Sequence, residues 1–577
     1  MLLAAPASAD DTRSPRTAVD QPAPVLGQLP SLTLPKHPAA RSSRASGVAG
    51  AADAAAVPAK PRLDVDDDGY SDTMYRGIDG NLYVEPSTGA EGHAYTINGD
   101  YEELYKDIVA PGDLDGGGRP EFLTLSATGT LSLFQSWGAD STGYATWSGK
   151  GWNIYNKLVG PGDVNGDGRG DLLARTPAGE LYLYVTNGAV ESNPFKSRVL
   201  VGKGWGAYDQ LVGANDVTGD GIADLFARTP AGDLFFYAGT GDATKPFAKA
   251  AKVGKGWNMY NQIIGIDDAN GDGLGDIIAR TPAGAMYYYE STGEGSFLTR
   301  TGGGSGWNGA SLFVGAGGNP DFGKNEMLGL DTKGNLFWYY ALNNGQLSAR
   351  QQVGEKFGGA NLTFASSFDK DGAAELMELY AGTLYNGNNV IGNGWGVYNA
   401  LVGPGDLSGD GKGDLLARDR SGYLYLYKGN GAGTAFASRI KVGGGWNAYN
   451  KLVGAGDYTG DGRTDLLART SGGTLYLYPG TGVATKPFGS RITVGNGWGT
   501  YKKLAAPGDI NGDGKADLLG ADAKGDLYRY TSTGTGKFTA RARVGGGWNT
   551  YVNQQRPPGR RGAHGPPRGR RGPRTTR

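Results

Sequence analysis

The chain of 577 residues has no cysteine, only three histidines and only six methionines. Disulfide staples are therefore excluded, and zinc or copper sites built from thiolate and imidazole are improbable. The histidines stand apart, at His37, His93 and His564, so no histidine-based triad can be assembled. Neither a G-x-S-x-G elbow nor an H-E-x-x-H motif occurs. No apolar run approaches the length that crosses a bilayer. What the chain has in excess is glycine, 103 residues, or about 18% against a usual value of about 7%. That excess fits a turn-dense, all-β protein.

The glycines recur with a period. Acidic loop starts fall at 64, 113, 163, 216, 268, 318, 367, 406, 457 and 509, in steps of 49, 50, 53, 52, 50, 49, 39, 51 and 52 residues. A unit of this size cannot bury its own apolar face and must stack on its neighbours. After each loop comes a short apolar run such as DLLAR, then a turn such as TPAG. An alternating aromatic run such as ELYLY follows, and then a third run such as SRVLVG. The segment G-W-x-x-Y-x-x-L-V-G leads into the next loop. Four short strands per repeat predict an all-β fold of about ten four-stranded propeller blades. Ten exceed one ring, so two propellers are expected, over 61–315 and 316–555, with five-plus-five the simplest division. The 39-residue repeat at 367 is too short for a full blade on this reading, which leaves an uneven split open.

Seven loops fit D-x-[D/N/S/T]-x-D-G-x-x-D in full. Their oxygen-bearing positions are Asp64, Asp66, Asp68 and Asp72; Asp163, Asn165, Asp167 and Asp171; Asp216, Thr218, Asp220 and Asp224; and Asp268, Asn270, Asp272 and Asp276. The second half of the chain adds Asp406, Ser408, Asp410 and Asp414; Asp457, Thr459, Asp461 and Asp465; and Asp509, Asn511, Asp513 and Asp517. The third position needs only a side-chain oxygen, the fifth and ninth are always Asp, and the sixth is always Gly. The seventh ranges from Tyr70 to Ile222 to Lys515, so its side chain is read as irrelevant and its carbonyl as a ligand. Alternating hard oxygens around a glycine turn describe a calcium cage, and about seven calcium sites are expected. Hairpin turns alone explain the glycine but not the three aspartates. The loop at Asp113 is weakened by Gly117 and Glu121, that at Ser367 ends in Glu375, and that near Gly318 has lost the pattern.

The stretches APGDLDGGG, VGPGDVNGDG and APGDINGDG resemble the FG-GAP repeat, also labelled VCBS-type, of integrin α-chain propellers and many bacterial secreted proteins. The likeness covers residues 61–552 and departs where Leu-Val-Gly replaces the leading Phe-Gly. It implies calcium loops that brace a propeller. An EF-hand or dockerin loop would run into a helix, and thrombospondin-type repeats carry disulfides; neither fits. The G-x-G-W-x-x-Y pattern around Trp152, Trp205, Trp257, Trp395, Trp446 and Trp498 also resembles tachylectin-type propeller lectins. That likeness makes these tryptophans speculative sugar-binding residues. The competing and favoured reading is aromatic packing between blades.

The ends differ from the body. Residues 1–9 read as the remnant of a signal peptide ending Ala7-Ser8-Ala9, and residues 10–60 as a disordered Ala/Pro/Ser linker. Residues 556–577 hold eight arginines and no acid, which leaves a net −9 over the rest of the chain against −1 for the whole. This tail reads as disordered or as a GC-rich gene translated out of frame, rather than as a nucleic-acid binder. Arg169-Gly170-Asp171 spells RGD, but Asp171 is a loop ligand on this reading. The repeated Arg175, Arg228, Arg280, Arg418 and Arg469 are read as balancing loop charge. The functional expectation is an extracellular, calcium-braced module that binds a glycan or protein ligand, with no membrane span and no catalysis. The alternative is a polysaccharide-active enzyme using acids outside the repeat pattern, for which Glu102, Glu103, Glu326 and Glu378 are candidates.

Overall fold

Each repeat supplies four short apolar runs separated by glycine turns, and each folds into an antiparallel sheet. The structure is a computed structural model that describes residues 26, 28–35, 59–98, 105–126, 129–315, 326–342, 344–366, 368, 374–387, 389–454 and 456–551. The best-kept copy pairs Lys157–Gly162, Asp171–Arg175, Leu181–Tyr184 and Val199–Gly202 in that order. Its second strand is buried throughout, because both faces meet neighbouring blades. Its third alternates buried leucine with half-buried tyrosine. Among the described residues there are ten such sheets, eight of four strands, one of three and one of five. The helical content is confined to short 3₁₀ turns. The repeat thus produces the all-β, blade-by-blade architecture its period implies.

Ring closure follows from which strands meet. Ala310–Phe313 does not extend the fifth sheet; it pairs with Thr73–Gly77 and completes the first. The apolar clusters agree. Consecutive blades share one cluster each, and Ile264, Ile278 and Trp307 of the fifth blade pack on Tyr75 of the first. Five further clusters run through the second half. The last joins Ile510, Leu519 and Leu527 to Ala341, Met327 and Leu347. Among the described residues, strand pairing and shared clusters group the blades five and five.

The short repeat corrects a sequence expectation. It forms a complete blade, with strands Asn361–Ser366, Ala374–Tyr380, Thr383–Asn386 and Asn389–Gly392. Only two residues separate its third and fourth strands, where the best-kept copy spends 14. The missing residues come from an outer loop, not from a strand.

The rings stack through the second ring's acidic loops. Asn153 Nδ2 donates to Gly409 O (3.1 Å), Asn156 Nδ2 to Asp461 O (2.8 Å) and Asn261 Nδ2 to Asn511 O (2.8 Å). Arg280 Nη2 reaches Gly512 O at 2.7 Å. The Lys515 ammonium lies 3.1 Å from Asp209, which also pairs with Arg228 at 2.7 Å. Burial works against the charge on Asp209, but Arg228 and Lys515 outweigh it and hold the carboxyl far below its usual range. The seventh loop position is therefore not always irrelevant, since Lys515 is one such residue.

Candidate functional site

The acidic loops share one geometry. In the loop at 163, Asp163 Oδ1 accepts from the backbone N–H groups of Asn165, Gly166 and Asp167 at 3.1, 2.7 and 3.2 Å, and Oδ2 from Gly168 at 2.6 Å. Asp216, Asp457 and Asp509 repeat this set. Asp268 and Asp406 each keep three of the contacts, and Asp64 keeps two. Two left-handed positions make the curl. The sixth is always Gly, as at Gly168 (φ 82°). The fourth is Gly in six loops and Asp67 (φ 66°) in the loop at 64, a requirement that the sequence pattern alone had not singled out.

The ninth position does something else. Asp171 opens the second strand, is fully buried, and accepts from Val164 N and Thr186 N at 3.2 Å each. It ties the start of the loop to the outer hairpin. Burial pushes Asp171 and Asp224 up to about 7 and Asp276 up to about 8, with neighbouring loop aspartates adding to the rise. Asp414, Asp465 and Asp517 are raised well above the usual range for the same reasons. Asp517 Oδ1 is buried without a hydrogen-bond partner. Clustered, buried carboxylates of this kind fit a hard cation, which would relieve their mutual repulsion.

Among the described residues, two loops bring three carboxylates within 4.8 Å of one another, Asp64/Asp66/Asp72 and Asp113/Asp115/Glu121. The second is a loop whose sequence looked weakened. Burial pushes Glu121 up to about 8, and Lys60 Nζ sits 2.9 Å from Asp113 Oδ2. A lysine from outside the repeat thus offers a charge partner where the consensus is poorest. Most of the loop at 367 and that near 318 lie outside the described residues, as do Glu102 and Glu103.

The tryptophans are core. Trp152, Trp205, Trp257, Trp395, Trp446 and Trp498 are only 7–8% exposed. Trp152 packs on Tyr184 and Phe195 with ring centroids 4.8 and 5.6 Å away, and the other five repeat the Tyr contact. No indole face is left for a sugar, so the six are corrected from ligand candidates to inter-blade packing. The tyrosine three residues on hydrogen-bonds to the tyrosine closing the aromatic strand, as in Tyr155 to Tyr184 at 2.6 Å. The repeated arginines do more than balance loop charge, although Asp457 acts on Arg175 and Asp509 and Asp513 act on Arg280. Arg175 Nη1 donates to Trp205 O and Tyr208 O, where the chain leads into the next blade, and Arg228, Arg280, Arg418 and Arg469 do the same at the corresponding positions. They clamp blade to blade. Glu326 accepts from Trp338 Nε1, and both Glu326 and Glu378 are buried.

Three segments, 163–227, 406–468 and 457–520, match the FG-GAP-like repeat. Those three segments are thus similar to FG-GAP-like repeats, and their loops are among the acidic loops described above. No curated protein matches the chain. Among solved structures, it is similar to an Agrocybe aegerita lectin described as recognising non-reducing terminal N-acetylglucosamine. Identity is 16%, covering 86% of this chain and 98% of that one, at a TM-score of 0.24. It is also similar to Saccharomyces cerevisiae Sqt1, at 11% identity over 78% and 98%, with a TM-score of 0.22. Superpositions this loose carry neither ligand nor fold across.

Proposed function

We propose that this protein is a secreted, calcium-braced double propeller that binds an extracellular ligand, glycan or protein, and catalyses nothing. The observation that carries the proposal is the repeated loop: a first aspartate curled over by backbone N–H groups, with a buried ninth aspartate below it. Residues at positions one, three, five and nine would hold the ion, and calcium would supply the positive charge that these carboxylates lack. Extracellular calcium sites bind at about 10⁻⁴–10⁻³ M. A site saturated tenfold adds about 1.4 kcal/mol, so seven independent sites add on the order of 10 kcal/mol. That equals the whole stability of an ordinary domain.

With the tryptophans buried, a glycan would have to use other surface. The repeated stack of arginine on tyrosine is what the blades expose there, as in Arg198 over Tyr182 at 4.2 Å and Arg491 over Tyr476 at 4.4 Å. The test is retention of the full chain on chitin, peptidoglycan and cellulose in millimolar calcium and again in EDTA. Retention only with calcium supports the glycan reading. Failure of folded, calcium-loaded protein to bind any of them removes it and leaves a protein ligand.

A further inference from the structure

In six repeats an arginine stands immediately before the fourth strand, as in the runs SRVLVG, SRIKVG and SRITVG. First strands of neighbouring blades meet one another, which puts the fourth strands on the rim. In the second ring the position holds Arg439, Arg491 and Arg541 on three consecutive blades. Arg350 holds it on the blade that meets the last of these through Tyr339 and Tyr551. Four neighbouring blades therefore carry the arginine without a break. In the first ring the last three blades have Arg198, Ala250 and Arg300, so the run is interrupted.

The four are held alike. The guanidinium carbons of Arg439, Arg491 and Arg541 lie 4.4, 4.4 and 4.3 Å from the ring centres of Tyr425, Tyr476 and Tyr528. That of Arg350 lies 4.8 Å from the centre of Phe337. Nη1 of the first three also donates to the hydroxyls of Tyr398, Tyr449 and Tyr501, at 2.8, 2.9 and 2.9 Å. One face and one corner of the guanidinium are thus fixed, yet all four residues are exposed. Among the described residues no carboxylate pairs with any of them. The acids on the adjoining hairpins bond elsewhere, Asp419 to Tyr423 N at 2.9 Å and Asp526 to Arg543 at 2.7 Å. A guanidinium held in place without a counter-ion presents its Nε–Nη2 edge, which matches a carboxylate or sulfate.

We propose that the rim of the second ring binds an anionic polysaccharide, one carrying carboxylate or sulfate groups, along the run Arg439, Arg491, Arg541 and Arg350. The proposal rests on the glycan reading above and names its ligand class. One such site is weak, but a polymer that meets several at once gains by linkage. A neutral sugar would find no open aromatic face, because each ring is covered by its arginine. Single-stranded nucleic acid is disfavoured for the same reason, since its bases need faces on which to stack.

The test is titration of the full chain, in millimolar calcium, with dextran sulfate, hyaluronate, uncharged dextran and oligothymidylate of matched length, read by calorimetry. Dextran sulfate, hyaluronate or both should saturate, more weakly as salt rises, and dextran should not bind. Which of the two binds tells sulfate from carboxylate. Arg439→Gln, Arg491→Gln and Arg541→Gln combined should weaken that binding about tenfold. The melting temperature should move by less than about two degrees, because these side chains are exposed. Arg198→Gln with Arg300→Gln, in the interrupted run, should weaken it far less. An unaffected triple variant would place the binding elsewhere, as on the arginines of residues 556–577, and overturn the proposal. Oligothymidylate bound as tightly through the same three arginines would also overturn it, since charge alone would then decide. Binding of dextran or chitin without either anionic polymer would overturn the ligand class and leave the glycan reading standing. Binding of none would remove both.

Discussion

The two rings are built from the same repeat, yet their first sheets are completed differently among the described residues. The first imports a residue from outside the repeat. Arg62 enters the axis and pairs with Asp267, and Ala310–Phe313 returns to close the first sheet. In the second, the first sheet, Glu326–Gly354, has three strands among the described residues and is joined to the last blade by the bridge of Asp331 to Tyr551. Tyr551 marks the register well, since Tyr398, Tyr449 and Tyr501 begin the corresponding pairings in their own blades. One repeat can therefore build a ring whose axis takes up a side chain from outside the repeat.

Calcium removal should have the largest effect on both rings. In excess EDTA the melting temperature should fall by well over ten degrees, matching a loss on the order of 10 kcal/mol. An unchanged thermogram would remove the ion from this account. Next comes Arg62→Met, which leaves Asp267 buried without its guanidinium and should cost about 3–5 kcal/mol. Denaturant unfolding should show that loss in the transition of the first ring, and equal loss in both rings would mean that they unfold as one body.

Arg280→Gln tests the stack between the rings. Arg280 is fully buried and donates to Trp307 O, Ala310 O and, across the interface, Gly512 O, whereas Arg418 clamps only its own ring. Arg280→Gln should cost about 2–3 kcal/mol and Arg418→Gln about half of that. X-ray scattering should report a larger radius of gyration only for the first, and the same radius for both would place the stacking energy elsewhere.

The smallest effect is on pH. In chelator, the carboxyls of Asp171 and Asp224 are raised to about 7 from an ordinary value of 3.8. Their protonated forms favour the folded state, so the stability they contribute is full below about pH 4 and lost as pH rises towards 7. The calcium-free protein should therefore melt a few degrees higher at pH 5 than at pH 7.5, and calcium should reverse that order. A calcium-free protein that gains stability across this range would contradict the buried state of the ninth aspartates.

Much of this was legible in the residues. The period gave the blades, and the loop consensus located seven curled carboxylates that the structure reproduces down to the sixth-position glycine. The tryptophan spacing placed aromatic clusters between blades once packing was weighed above sugar binding. Other signals were present and misread. The arginine at the end of each DLLAR run recurs as regularly as the loop, but its acceptors are carbonyls about 30 residues on, at the entry to the next blade, and carbonyls leave no mark in a sequence. The short repeat misled because length was taken as strand content, when an outer loop carried the difference.

What the sequence determined by itself is everything set by contacts within one repeat or between neighbours: strands, turns, loops and the aromatic core. These are short-range and repeated, so each copy checks the others. What only the tertiary structure decided lies farther apart. Arg62 meets Asp267 across 205 residues, Asn261 meets Asn511 across 250, and the strand at 310 meets that at 75. Each of these contacts occurs once, between residues with no periodic signature. Their partners are fixed by how many blades complete a turn, and that is a property of curvature accumulated around the ring.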